Sequence, residues 1–156
     1  MPYHEKKFDE LSVGDVFERI VMRPSVVKED ALIGEAITQM LANPLSRKVY
    51  VVAADGKYVG TVNTDTILRL IGYRVGVRDS GNLSFIRFMR DAFKDDVKSI
   101  MSRGRTVTRE MKLTTALKVM VDDHLNDLPV VDQDGKLIGE LVSLELFTEG
   151  KRVFDT

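Results

Sequence analysis

The chain is poor in the side chains that most catalysis needs. It has no cysteine and only two histidines, His4 and His124, so a thiolate nucleophile, a disulfide framework and a histidine-rich metal site are not expected. No nucleophile with its base, no pair of facing acids and no metal constellation can be assembled from the pattern, and the chain does not read as an enzyme. What remains is the chemistry of anion and hydroxyl recognition. Arg69, Arg74, Arg78, Arg87 and Arg90 stand against one acid, Asp79, over residues 69–90. A solvated basic face accounts for them; an acidic partner or a membrane surface is the alternative. Asn63 and Ser143 precede Asp65 and Glu145 at two apparent helix starts, where capping and the positive dipole end favour all four with or without a ligand.

The elements that carry these residues come in two copies. Asp55-Gly56-Lys57-Tyr58-Val59-Gly60 returns 79 residues later as Asp134-Gly135-Lys136-Leu137-Ile138-Gly139. The apolar stripe Ile33, Ala36, Ile37, Met40 and Leu41 returns 80 residues later as Leu113, Ala116, Leu117, Met120 and Val121. The spacing i, i+3, i+4, i+7, i+8 predicts amphipathic helices over Leu32 to Leu41 and Leu113 to Asp122. Extended segments precede them, Ser25-Val26-Val27 and Arg105-Thr106-Val107-Thr108. Apolar runs follow, Val49-Tyr50-Val51-Val52 and Leu128-Pro129-Val130-Val131, and each Asp-Gly pair predicts a hairpin turn into a further strand. Each copy then closes on a second helix, so the order is β-α-β-β-α, twice. A matched stripe and a matched turn in register point to a true internal repeat.

Bulk properties bound the rest. The 156 residues are 44% hydrophobic and 30% charged with a net charge of −1, which fits a globular chain and gives no surplus for gripping nucleic-acid phosphates. No segment is apolar enough to insert in a membrane and residues 1–7 lead into no secretory core, so a cytoplasmic location is expected. Domain boundaries are expected at 12–72 and 97–150 for the copies. Between them, 73–96 reads as a linker loosened by Gly72, Gly76 and Gly81 and containing a helical stripe of Phe85, Phe88, Met89, Ala92 and Phe93. That stripe either packs on its own domain or forms a self-association surface.

With the doubled order in view, the chain resembles a tandem cystathionine-β-synthase (CBS) domain pair, or Bateman module, of the stand-alone type. The likeness rests on three segments: the lead-ins Val21-Met22-Arg23-Pro24 and Ile100-Met101-Ser102-Arg103, the strand Leu128-Pro129-Val130-Val131-Asp132, and the glycine-led runs Gly60 to Thr66 and Gly139 to Glu145. It spans about residues 12 to 150. The resemblance implies an α+β fold of two motifs related by a pseudo-twofold axis, with an inserted linker helix. It also implies a regulatory module that binds AMP, ADP, ATP or S-adenosylmethionine in the cleft between the motifs and signals to an effector protein of unknown identity, with no required cofactor. A homodimer of two chains is implied as well.

On that likeness the better-kept ligand site lies in motif 2. Thr106 precedes the strand valine, Leu128, Pro129 and Val130 offer the adenine slot, Glu145 stands where the ribose-binding acid belongs, and Ser143 is a further candidate in the same run. Val142 replaces the usual Thr or Ser of the glycine-led run. Motif 1 departs further: Val26 replaces the threonine, Asn63 the hydroxyl residue and Thr66 the acid, leaving Val49 and Tyr50 for the ring. Arg103 and Arg105 are the candidate phosphate groups. The degeneration of motif 1 leaves a second reading open, a CBS pair that binds no nucleotide and serves in dimerisation or protein docking.

Overall fold

The computed structural model describes residues 6–20, 23–76 and 82–154. In chain order the elements are α1 (Val13–Val16), β1 (Val26–Lys28), α2 (Ile33–Ala42), β2 (Lys48–Val52), β3 (Tyr58–Asn63), α3 (Thr64–Gly76) and α4 (Asn82–Phe93), then α5 (Leu113–Asp122), β4 (Asp127–Val131), β5 (Leu137–Val142) and α6 (Ser143–Phe154). Short 3-10 turns lie at Phe8–Glu10 and Val97–Ser99. The class is α+β, as the sequence predicts. The chain divides into two compact units, one of Ser25–Gly104 and one in which the residues up to Pro24 join those from Arg105 onward.

In the Ser25–Gly104 unit, β1 runs parallel to β2 and β2 antiparallel to β3. Val26, Tyr50 and Thr61 lie in one row across the three strands. Because strand side chains alternate between faces, Val49, Val51 and Val62 point the other way, into a core with Val27, Ile33, Ala36, Met40, Ile67 and Val97. The Asp-Gly turn forms as its composition demands: Gly56 takes φ 89°, a conformation cheap only for glycine, and Asp55 Oδ1 accepts the Lys57 N–H at 3.0 Å.

The second unit repeats this build with one loss. β4 pairs antiparallel with β5, and the ladder slips between Val130 and Val131, the repeat equivalents of the slip between Val51 and Val52. Gly135 takes φ 84°, and Asp132 Oδ1 accepts the N–H groups of Asp134 and Lys136, each at 2.9 Å. The equivalent of β1 shrinks to a single parallel bridge from Val107 to Val130. Proline explains this. In the first unit the Tyr50 N–H donates to the Ser25 carbonyl at 2.9 Å; its counterpart, Pro129, has no N–H to offer Arg105. Pro129 therefore sits in a strand of a two-stranded sheet whose other side carries only the Val107 bridge, where no ladder N–H is needed and the parallel ladder stays short.

Each copy is closed by the segment that leads, in sequence, into the other copy. Val13 N–H donates to Met111 C=O at 2.8 Å and Leu113 N–H to Leu11 C=O at 2.9 Å. In the other unit Val97 N–H donates to Ala31 C=O at 3.0 Å and Ile33 N–H to Asp95 C=O at 2.9 Å. Leu11, Val13, Val16 and Phe17 complete the core of Val107, Leu113, Ala116, Met120, Leu128, Val130, Leu141 and Leu146. A wholly buried leucine such as Leu11 contributes ~2 kcal/mol over leaving it in water, so this loan of apolar side chains matters. The matching corrects the lead-in register expected from sequence: Phe17 takes the place of Met101, while Val21 and Met22 lie outside the described residues.

The helical stripes hold with a trimmed edge. Ile33, Ala36 and Met40, like Leu113, Ala116 and Met120, are buried. Leu41 and Val121, expected inside, are exposed. At 100° per residue, position i+8 stands about 80° from position i and falls off the buried face. The helix α3 carries Gly72 and Gly76 within it, so the connection begins later than those glycines predict; Gly81 lies outside the described residues. Helix α4 packs on α2 and α3. Ala92 is buried and Phe88, Met89 and Phe93 half-buried, so much of the aromatic stripe belongs to its own unit.

Candidate ligand-binding site

The sheet faces turned away from the two cores gather several of the residues singled out by sequence. In the first unit that face carries the row Val26, Tyr50 and Thr61. Tyr50 is wholly buried, with its ring edge-on to Tyr58 at 6.2 Å between centroids. The Tyr58 hydroxyl lies 2.7 Å from Thr61 Oγ1 and accepts the Gly104 N–H at 3.2 Å. Thr61 and Ser102 exchange backbone hydrogen bonds of 2.8 and 2.9 Å. Arg103, exposed, is thus held between two anchored neighbours. Tyr58, Thr61 and Ser102 were not singled out by sequence; the alternation of β3 puts Thr61 beside Tyr50 and was the signal available.

The corresponding row in the second unit is Thr106, Pro129 and Glu140. Pro129 and Glu140 are register partners, and Val107 bridges Val130 beside them. Thr106 is half-buried and Pro129 buried, while Glu140 is wholly buried. A carboxylate within the apolar run Leu137–Val142 is costly unless held by partners, and that is the sequence signal that marks Glu140. Leu128 and Val130, like Val49 in the first unit, are core residues on the opposite face. Only their backbones are available to a ligand on this face.

The helix starts are organised differently from the rows. Asn63 Oδ1 accepts both the Thr66 N–H and the Thr66 hydroxyl at 2.9 Å, the geometry of an N-cap residue serving the N3 position. In the second unit the roles are reversed. Glu145 Oε1 accepts the Val142 N–H at 2.9 Å, the N3-to-N-cap half of a capping box. Its Oε2 accepts Arg19 N–H at 2.6 Å and Ile20 N–H at 3.0 Å. Burial pushes the Glu145 carboxyl above the ordinary glutamate value, against the pull of the three backbone N–H groups and the Arg19 charge. Ser143 is the first residue of α6, and its N–H goes to Asn126 C=O at 2.8 Å. Both helix N-termini are therefore served by protein groups. Arg105 pairs with Asp123 at 3.1 Å.

Above each helix start lies a tight approach. A Cβ on Gly60 would stand 2.7 Å from Met101 Sδ, and one on Gly139 would stand 2.5 Å from Phe17 Cε2. Glycine leads each motif run because the lead-in side chain lies directly against it. The Arg109 guanidinium, 4.8 Å from the Phe17 ring centroid, covers that ring. Among the described residues no group of three or more acids and histidines is placed to hold a metal ion, and no helix is long and apolar enough to cross a membrane.

Comparison with known proteins agrees with this geometry. Residues 13–73 and 97–147 match the CBS domain family. An uncharacterised protein of Methanocaldococcus jannaschii is 29% identical over 141 residues, covering 77% of this chain and 82% of its own. A CBS domain-containing protein of Thermotoga maritima, known from its crystal structure, is 34% identical with a TM-score of 0.69, over 88% of this chain and 92% of its own. A CBS domain protein of Pyrobaculum aerophilum, solved in complex with AMP, is 18% identical and shares the fold at a TM-score of 0.72, over 94% of this chain and all 100% of its own. The chain belongs to the CBS domain family and carries two CBS motifs in tandem.

Proposed function

We propose that this chain is a regulatory module that senses an adenosine ligand, AMP, ADP, ATP or S-adenosylmethionine, and signals its presence to an effector protein. It acts without catalysing a reaction and as a homodimer. The observation that carries the reading is the row Thr106, Pro129 and Glu140. It sets a hydroxyl, an apolar ring surface and a carboxylate side by side, the set needed to orient a nucleoside. Relatives sharing the fold support the ligand class: the Pyrobaculum protein and the protein CBSX2 were solved with AMP, and the cytosolic domain of the magnesium channel MgtE with ATP. Glu140 joins Glu145 as a candidate for the ribose diol. The oxygens of Glu145 serve three backbone N–H groups, which a ligand there would have to displace. Arg103 is the phosphate candidate, ahead of the paired Arg105.

Thermal unfolding with each of the four ligands tests the reading. A specific ligand at ~100 times its dissociation constant adds ~2.7 kcal/mol, an upward shift of roughly 5–11 °C for a chain of this size. Glu140→Gln removes the shift if the row is the site. No shift with any of the four overturns the nucleotide reading.

A second reading, a docking module that binds no nucleotide, is favoured by one observation: both helix N-termini are already capped from within the chain. An unchanged melting temperature together with recovery of a stable protein complex supports it.

A further inference from the structure

Each unit ties down the backbone of its own lead-in, and the two units use different side chains to do so. In the second, Glu145 takes the N–H groups of Arg19 and Ile20. Its repeat counterpart in the first is Thr66, which is turned to Asn63 instead. There Tyr58 holds the lead-in: its hydroxyl accepts the Gly104 N–H at 3.2 Å and lies 2.7 Å from Thr61 Oγ1. Strict alternation would send Tyr58 to the core side with Val62. The slip between Val51 and Val52 leaves Val59 without a register partner, and such a bulge turns Tyr58 to the face of Tyr50 and Thr61. Thr61 and Ser102 also exchange backbone hydrogen bonds, so the residues on either side of Arg103 are both fixed to β3.

We infer that Tyr58 is a positioning residue for nucleotide phosphate: it fixes residues 102–104 so that Arg103 meets the anion, and the site takes phosphorylated adenosines ahead of S-adenosylmethionine. Among the described residues Arg103 has no acid partner, whereas Arg105 is held by Asp123 at 3.1 Å. Arg103 stands three residues before Thr106. That span keeps their Cα atoms within about 11 Å of each other, short enough for the guanidinium to reach a phosphate on a nucleoside held at the row. A guanidinium matches phosphate oxygens two at a time. S-adenosylmethionine, with a sulfonium and an ammonium against a single carboxylate, is net positive and is repelled by the same charge. Anchoring the backbone of Arg103 beforehand removes part of the entropy that binding would otherwise lose. The counterpart of Tyr58 is Leu137, so the hydroxyl belongs to this copy alone. The inference rests on the nucleotide reading above and adds which ligands are favoured and how their phosphate is met.

Titration calorimetry of the full chain with adenosine, AMP, ADP, ATP and S-adenosylmethionine tests this. In the wild type the phosphorylated ligands bind at least tenfold more tightly than adenosine or S-adenosylmethionine, and Arg103→Ala removes that difference. Tyr58→Phe keeps the buried ring, and the partners of the lost hydroxyl still reach water, since Gly104 is exposed and Thr61 half-buried. This variant weakens AMP, ADP and ATP by about three- to tenfold and leaves adenosine unchanged. Hydrogen exchange reads the tie itself without any ligand: the Gly104 amide is protected in the wild type and loses protection in Tyr58→Phe. An equal loss for adenosine and ADP shows Tyr58 serving the fold alone and overturns the inference. Unchanged ADP affinity in either variant, an unprotected Gly104 amide, or S-adenosylmethionine binding as tightly as AMP overturns it too. In all of these cases the sensing reading stands. No binding of any of the five to the wild type overturns the inference together with that reading.

Discussion

The carboxylate of Glu145 accepts the backbone N–H of Arg19 at 2.6 Å, across 126 residues of sequence. One side chain thus caps helix α6 and pins the lead-in against its own unit. Replacing it by glutamine keeps an acceptor for Val142 but turns an NH2 group toward the Arg19 and Ile20 donors. We expect Glu145→Gln to cost about 1–3 kcal/mol, the range for a buried donor left unsatisfied, read as a lower urea midpoint with an unchanged slope.

The same residue carries a pH signature of definite sign. Its folded pKa lies above the unfolded value, so between the two the folded chain holds more protons. Glu145 therefore works against stability as pH rises through that window. Asp15 acts oppositely. Burial raises its pKa, but the Ser12 N–H, Lys6 and the Ser12 hydroxyl outweigh this and hold it low, so its contribution is lost as pH falls through its depressed value. Urea unfolding of wild type and Glu145→Gln from acid to neutral pH separates them: the wild-type advantage shrinks as pH rises. A difference that stays flat or grows contradicts the assignment.

The paired glycines rank two further substitutions. Gly60→Ala pushes on a flexible methionine, whereas Gly139→Ala pushes on a Phe17 ring covered by Arg109. Overpacking costs typically ~1–3 kcal/mol, with Gly139→Ala at the upper end and Gly60→Ala below it. Denaturant midpoints of the two variants check the order.

Pro129→Val restores the N–H that Tyr50 uses in the other copy. Arg105 C=O gains a donor, and the single bridge at Val107 extends into a short strand, with a gain of up to ~1 kcal/mol. An amide at residue 129 of the variant that is protected from hydrogen exchange, as a ladder-bonded N–H is, gives the direct readout.

The exchanged lead-ins predict how fragments behave. Residues 25–104 form a contiguous unit that contains its own clasp, and this fragment should unfold cooperatively on its own. Residues 97–156 lack Leu11, Val13, Val16 and Phe17, and should fold only when a peptide of residues 6–24 is added. Circular dichroism of each fragment, with and without the peptide, decides this.

Much of this was legible in the residues. The Asp-Gly turns, the stripes of α2 and α5 and the doubled order are local patterns, set by φ preference and helical period, and they appear where expected. The lead-in exchange was not legible, because it joins segments far apart in sequence and its two halves follow a different offset from the rest of the repeat. Leu41 and Val121 read as core from the stripe alone, because a stripe gives the helical face but not how wide a face its neighbours cover. At the site, the motif pattern marks Glu145, but its backbone partners at Arg19 and Ile20 lie far off in sequence. Glu140 falls outside the motif pattern, because its place in the row depends on strand register with Pro129.

The proposal that this chain senses an adenosine ligand is tested most directly by titrating the isotopically labelled protein with AMP, ADP, ATP and S-adenosylmethionine and following its amide resonances. Saturable shifts with at least one ligand, concentrated at Thr106, Val130 and Glu140 and lost in Glu140→Gln, are predicted. No saturable shift with any of the four at millimolar concentration contradicts it.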